Sequence, residues 1–138
     1  MLTGKDLEKL LPQSYPMIMT DTLATSDEKK TETLLTVKEN NIFVSEGKLR
    51  EPGIIENMAQ TAAARAGYEA KIKNKKVKAG FIGNIKNLNI FNLPKINDTI
   101  KTILIPVNKV GKISVVKIET YADKNKISEC SMTIILNE

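Results

Sequence analysis

The sequence contains no histidine and no tryptophan, and its only cysteine is Cys130. The missing histidine removes the commonest general acid/base and the commonest transition-metal ligand. With one cysteine as well, a structural zinc site is excluded, and so are Ser-His-Asp and Cys-His nucleophile systems. A disulfide within one chain is impossible, and a single cysteine fits a reducing, cytoplasmic compartment. No apolar run approaches the ~20 residues that a spanning helix needs. The opening MLTGKDLEKLLPQ has no apolar stretch of the signal-peptide kind. No membrane association is therefore expected. Aromatic residues are only 4% of the chain, too few to build a stacking platform for single-stranded nucleic acid, and nucleic acid is not an expected partner. Any catalysis must run on carboxylates, amides, hydroxyls, lysine or the side chains of a partner. No cofactor and no metal are expected.

What is present describes one soluble domain over 1–138. Hydrophobic residues are 41% and charged residues 27% of the 138, near the average for a globular chain. Lys+Arg exceed Asp+Glu by 21 − 16 = 5, a modest excess that favours acidic partners. Residues 4–11 predict a short helix stopped by Pro12. Residues 17–25 and 31–38 predict two strands of a hairpin around the polar SDEKK. Residues 39–52 read as an irregular connection. Pro52 and Gly53 then open a long helix over about 54–70, whose apolar positions cover a wide face. Its alanine run presents a slim surface. The last sixty residues predict four strands, near 79–91, 98–109, 112–122 and 127–136, with breaks at Pro94–Asp98, Gly111 and Asp123–Asn125. This order gives an α+β chain: an antiparallel sheet with one long helix against a face.

The polar positions on that helix are Glu56, Asn57 and Gln60. Glu56 and Gln60 are four apart, hence on one face and one turn from each other. A carboxylate beside an amide suits proton transfer and carbonyl anchoring. The same pair also fits a plain reading, with Glu56 favouring a helix N-terminus and Gln60 a satisfied amide. Gly53 and Gly47 read first as turn formers, while backbone N–H groups from Gly53 to Ile55 could also polarise a bound carbonyl. The lysines Lys71, Lys73, Lys75, Lys76 and Lys78 complement a helix C-terminus or dock an acidic carrier.

Three stretches in order resemble the hotdog-fold dehydratases that act on β-hydroxyacyl chains held on acyl carrier protein. LEKLLPQSYPMIMTDTL, ending at Leu23, is similar to that family's opening. PGIIENMAQTAAA (52–64) is similar to its central-helix signature, and FIGNIKNLNIFNLPKINDTI (81–100) to a later segment. The short GKLREPGIIENMAQ resembles more closely the divergent dehydratase-like proteins of aryl-polyene and flexirubin pigment clusters. The resemblance implies a hotdog fold, with the sheet wrapped around the central helix, and a dimer with a substrate tunnel at its interface. It implies a catalytic acid at Glu56 and a substrate contact at Gln60. The family's histidine, which follows a glycine in the loop before the helix, is replaced by Lys48 after Gly47. Gln13 stands in place of the histidine of the opening motif. Gln13, Lys48, Gln60 and Gly53 are thus the expected substrate-binding positions beside Glu56. The expected substrate is an acyl thioester on acyl carrier protein or coenzyme A. The expected assembly is a homodimer, joined through the long final strands, or a heterodimer with a histidine-bearing dehydratase paralogue. The expected function is that of a dehydratase subunit that is weak alone or dependent on a partner. The alternative is a hotdog acyl-thioesterase that uses the helix carboxylate.

Overall fold

The computed structural model describes residues 1–76 and 80–136. Lys78 of the basic stretch and Ala79, at the expected start of the first late strand, lie outside them. Elements are β1 (Leu2–Thr3), α1 (Gly4–Glu8), β2 (Thr22–Ser26), β3 (Thr31–Thr36), β4 (Val44–Ser45), β5 (Lys48–Leu49), α2 (Glu51–Ile72), β6 (Gly80–Ile90), β7 (Thr99–Val110), β8 (Ile113–Ala122) and β9 (Asn125–Leu136). Seven strands form one sheet in the order β1-β2-β3-β7-β8-β9-β6. Every pairing in it is antiparallel. The α+β architecture is the expected one: the sheet wraps α2, and the core lies between them.

Helix α2 begins at Glu51, earlier than the apolar pattern suggests. Pro52 sits in its first turn, where a missing N–H costs nothing and the fixed φ already suits a helix. The four late strands fall close to their expected limits because alternation marks them. Along β3, Thr31, Thr33 and Leu35 face inward; along β7, Ile100, Thr102 and Leu104 do the same. Met58 and Ile54 of α2 pack with Leu35, Ile100, Leu104, Ile118 and Met132 of the sheet. A second cluster joins Leu7, Leu10 and Leu11 to Leu23 and Ala64, fixing α1 against the other side of α2.

Three expectations need correction. The strand expected over 17–25 exists only from Thr22, because residues 17–19 are held by the helix instead of by a strand. Met19 N–H donates to Gln60 Oε1 (2.7 Å), Gln60 Nε2 donates to the Met17 carbonyl (2.7 Å), and Asn57 Nδ2 donates to the Met19 carbonyl (2.6 Å). The connection 39–52 is also not wholly irregular. Val44 pairs with Leu49 and Ser45 with Lys48, around Glu46 and Gly47, both at positive φ (54° and 77°). Positive φ at both turn positions is the mark of a type I′ hairpin, here with glutamate in place of the usual asparagine. The final strands are not an exposed edge either. β8 and β9 lie inside the sheet, whose two outer strands among the described residues are the two-residue β1 and the eleven-residue β6. An edge available for a second chain is therefore β6.

A row of hydroxyls crosses the helix-facing side of the sheet. Thr33 pairs with Thr102, Thr102 with Thr120, and Thr120 with Ser128, and all four are fully buried. Asn57 and Thr61 lie over this row. The Thr102 hydroxyl donates to Asn57 Oδ1 (2.6 Å) and the Thr61 hydroxyl to the Asn57 carbonyl (2.9 Å). Thr61 therefore accepts from Thr33 (2.7 Å) and Thr102 from Thr120 (3.1 Å). Arg65 reaches the β2–β3 turn, where Nη1 donates to the Asp27 carbonyl and the Thr31 hydroxyl.

Two stability predictions follow from these contacts. Asn57→Ala leaves the Met19 carbonyl without its amide donor and the Thr102 hydroxyl without its acceptor on the helix, and should cost about 2–3 kcal/mol in urea unfolding. Gly67→Ala would place a methyl 2.6 Å from the Leu10 carbonyl oxygen. In an exposed helix this change gains up to about 1 kcal/mol. Here crowding should reverse the sign to a loss of about 1–2 kcal/mol, read as a lower urea midpoint at unchanged slope.

Candidate functional site

Glu56 is half-buried on the first half of α2, beside a groove of about 560 Å³. The floor is Ala59, Ala62, Ala63 and Ala66, spaced so that one helix face repeats over two turns. One wall is the chain from Lys9 to Gln13 after α1, and the other is Ile82, Ile134 and Leu136. Ile82 and Ile134 are paired across β6 and β9. The alanines thus leave a trough rather than a close helix–sheet contact. Their spacing from Glu56 was the available signal for it, but its walls come from segments distant in sequence.

The carboxylate is oriented from behind. Gln60 Nε2 donates to Glu56 Oε1 (3.1 Å) as well as to the Met17 carbonyl, while Gln60 Oε1 accepts from Met19 N–H. The backbone donor at Met19 fixes which end of the amide is oxygen. Gln60 is fully buried. It stands behind Glu56 and does not line the groove, and both of its N–H groups are held by protein oxygens.

The other expected positions divide. Gln13 lines the same groove as Glu56, and its buried Oε1 accepts no hydrogen bond among the described residues. Lys48 is exposed on the β4–β5 hairpin and is not part of the groove wall. Gly53 is buried against Leu49 and Phe43, where an added Cβ would come within 2.6 Å of Leu49 Cδ1. Its role is close packing. The N–H groups of Gly53 and Ile54 both donate to the Arg50 carbonyl, because the helix starts at Glu51. They are not free to polarise a bound carbonyl.

Cys130 is buried 3.7 Å from the Met58 sulfur, and burial pushes its thiol up to about 11, so it offers no thiolate nucleophile at neutral pH. Among the described residues no three His, Cys, Asp or Glu side chains gather where a metal ion would be held. No helix among them is long and apolar enough to cross a membrane.

The sequence matches the family model for ApeP-like proteins, described as ApeP dehydratase, over residues 5–93. No curated protein matches it. Among solved structures, the dehydratase heterocomplex ApeI:P from Xenorhabdus doucetiae is similar with a TM-score of 0.89 at 14% identity, covering 100% of this chain and 93% of that one. A hypothetical thioesterase with coenzyme A from Streptococcus pneumoniae TIGR4 has a TM-score of 0.75 at 10% identity, with 96% and 95% covered. The PaaI protein of the phenylacetic acid degradation operon of E. coli has a TM-score of 0.67 at 10% identity, with 82% and 80% covered. At such identities these structures speak for the fold alone. The family match spans well over half of the chain and includes Gln13, Glu56 and Gln60, and with it this hotdog-fold chain belongs to the ApeP-like dehydratase family.

Proposed function

We propose that the chain is the carboxylate-bearing subunit of a β-hydroxyacyl-thioester dehydratase in aryl-polyene-type acyl-chain synthesis, and that a second dehydratase subunit completes its site. The observation that carries this reading is Glu56 at the end of an apolar trough, with Gln60 bonded to its back. Dehydration needs a base for the proton α to the thioester carbonyl and an acid for the leaving hydroxyl. In this reading the α C–H electrons form the new double bond as a partner base takes the proton. The β C–O bond breaks, and Glu56 protonates the departing hydroxyl, which leaves as water. Glu56 then recovers its proton for the next turnover. The chain has no histidine of its own to act as that base, and Lys48 stands away from the groove.

The sheet edge supports the partner. Gly80 and Ile82 of β6 line the trough, and among the described residues β6 has no neighbour on its outer side. A strand laid along β6 would continue the sheet and close the trough beside Glu56. A histidine-bearing paralogue docked there supplies the missing base. The similar Xenorhabdus structure is that of a dehydratase heterocomplex, which is consistent with this arrangement.

The test compares the reconstituted heterocomplex with the same complex carrying Glu56→Gln, which keeps the shape and removes the titratable proton. Dehydration should fall about 10²-fold or more. Unchanged turnover would remove Glu56 from the chemistry, and robust dehydration by this chain alone would remove the need for the partner. Release of free thiol that disappears in Glu56→Gln would establish the thioesterase reading instead.

A further inference from the structure

The trough does not end in apolar wall. At Ala66 and Leu136 it runs into a second hollow of about 170 Å³, lined also by Glu69, Lys73, Lys75, Lys76 and Lys109. Four ammonium groups meet one carboxylate there, and that carboxylate is occupied: Lys73 Nζ lies 2.7 Å from Glu69 Oε1. The hydrogen bond from Lys73, with the charges of Lys73, Lys109 and Arg65, holds Glu69 below the usual carboxylate range. A helix C-terminus explains one or two lysines on α2 itself. It does not explain Lys109, which belongs to β7. Lys109 pairs with Ser114 and Ser114 with Ile134, so Lys109 shares the concave face, and the row, of a residue that lines the trough. Lys109 is exposed at the rim of the hollow, so its ammonium is accessible to an anion placed there.

We infer that Lys73, Lys75, Lys76 and Lys109 form an anion subsite for the phosphate of a phosphopantetheine-linked thioester, at the opposite end of the trough from Glu56. The inference rests on the thioester reading of the groove and adds the direction in which the substrate lies. The distances agree. Glu56 and Glu69 are separated by about 20 Å along the helix at ~1.5 Å per residue. The pantetheine arm, from thioester carbon to phosphorus, has roughly fourteen bonds. At roughly 1.2 Å per bond, the advance of an extended backbone, it spans about 17 Å. The charge also agrees. Three uncompensated ammonium groups suit a phosphate carrying nearly two charges, and lysine binds phosphate as a point charge.

The test is calorimetric binding of three nonhydrolysable probes, at low ionic strength, to this chain reconstituted with its partner subunit: an acyl-pantetheine amide, its 4′-phosphate, and an acyl-pantetheine amide with a carboxylate at the far end of the acyl chain. The phosphorylated probe should bind about tenfold more tightly than the first. That gain should shrink with added salt and vanish in the double variant Lys75→Glu, Lys109→Glu. The unphosphorylated probe should bind that variant as it binds the wild type, which also shows that the variant is folded. Equal binding of the first two probes overturns the subsite and leaves the thioester reading standing. A gain seen for the far-end carboxylate, and lost in the variant, assigns the lysines to the tip of the acyl chain and overturns the phosphate assignment. Failure of all three to bind overturns the subsite together with the reading of the groove.

Discussion

Two amide side chains on the central helix hold the molecule together in a way that hydrophobic packing alone cannot. Asn57 and Gln60 give residues 17–19 the backbone partners that a neighbouring strand would otherwise supply. Buried backbone groups without partners are costly, so the position of the helix and the path of this segment determine each other. Asn57 also accepts from Thr102 in the middle of the sheet. The helix is thereby fixed both along its axis and about it. Turning α2 by one residue would carry Glu56 off the trough and break three or four buried hydrogen bonds together. The orientation of the Glu56 carboxylate is a by-product of how the core is tied.

How much of this was legible depends on where each element finds its partners. The four late strands pair mainly with one another in sequence order, and their alternation reports a single buried face. They are readable for that reason. The segment 17–25 has strand-like composition, but its first part finds its partners on the helix, so period and propensity mislead there. The β4–β5 hairpin is too short to show alternation, and Glu46 at a positive φ carries no composition signal. The position of β6 beside β9 is a topological fact with no local trace.

The site divides in the same way. Glu56 stands out as a carboxylate on a mostly apolar helix, and the likeness of PGIIENMAQ to a dehydratase signature gives it a role. Spacing alone also put Gln60 beside it, but not behind it, since only the path of residues 17–19 shows where that amide's hydrogen bonds go. Gly53 looks like a flexible approach to a ligand and is instead a point of contact with Leu49 and Phe43. The trough itself is assembled from α1, α2, β6 and β9, and no window of sequence contains it.

The edge strand has a consequence of its own. β6 takes two register shifts against β9 within eleven residues, one at Gly83 and one between Lys86 and Asn89, where Asn87 has a φ of 55°. Each bulge bends the strand and increases its local twist. The outer rim of the sheet is therefore a kinked profile and not a straight template. A straight strand of any sequence would match its hydrogen bonds for only a few residues before falling out of phase. A chain that carries matching kinks can run its full length. For the partner strand proposed along β6, backbone shape would thus discriminate before any side chain is compared.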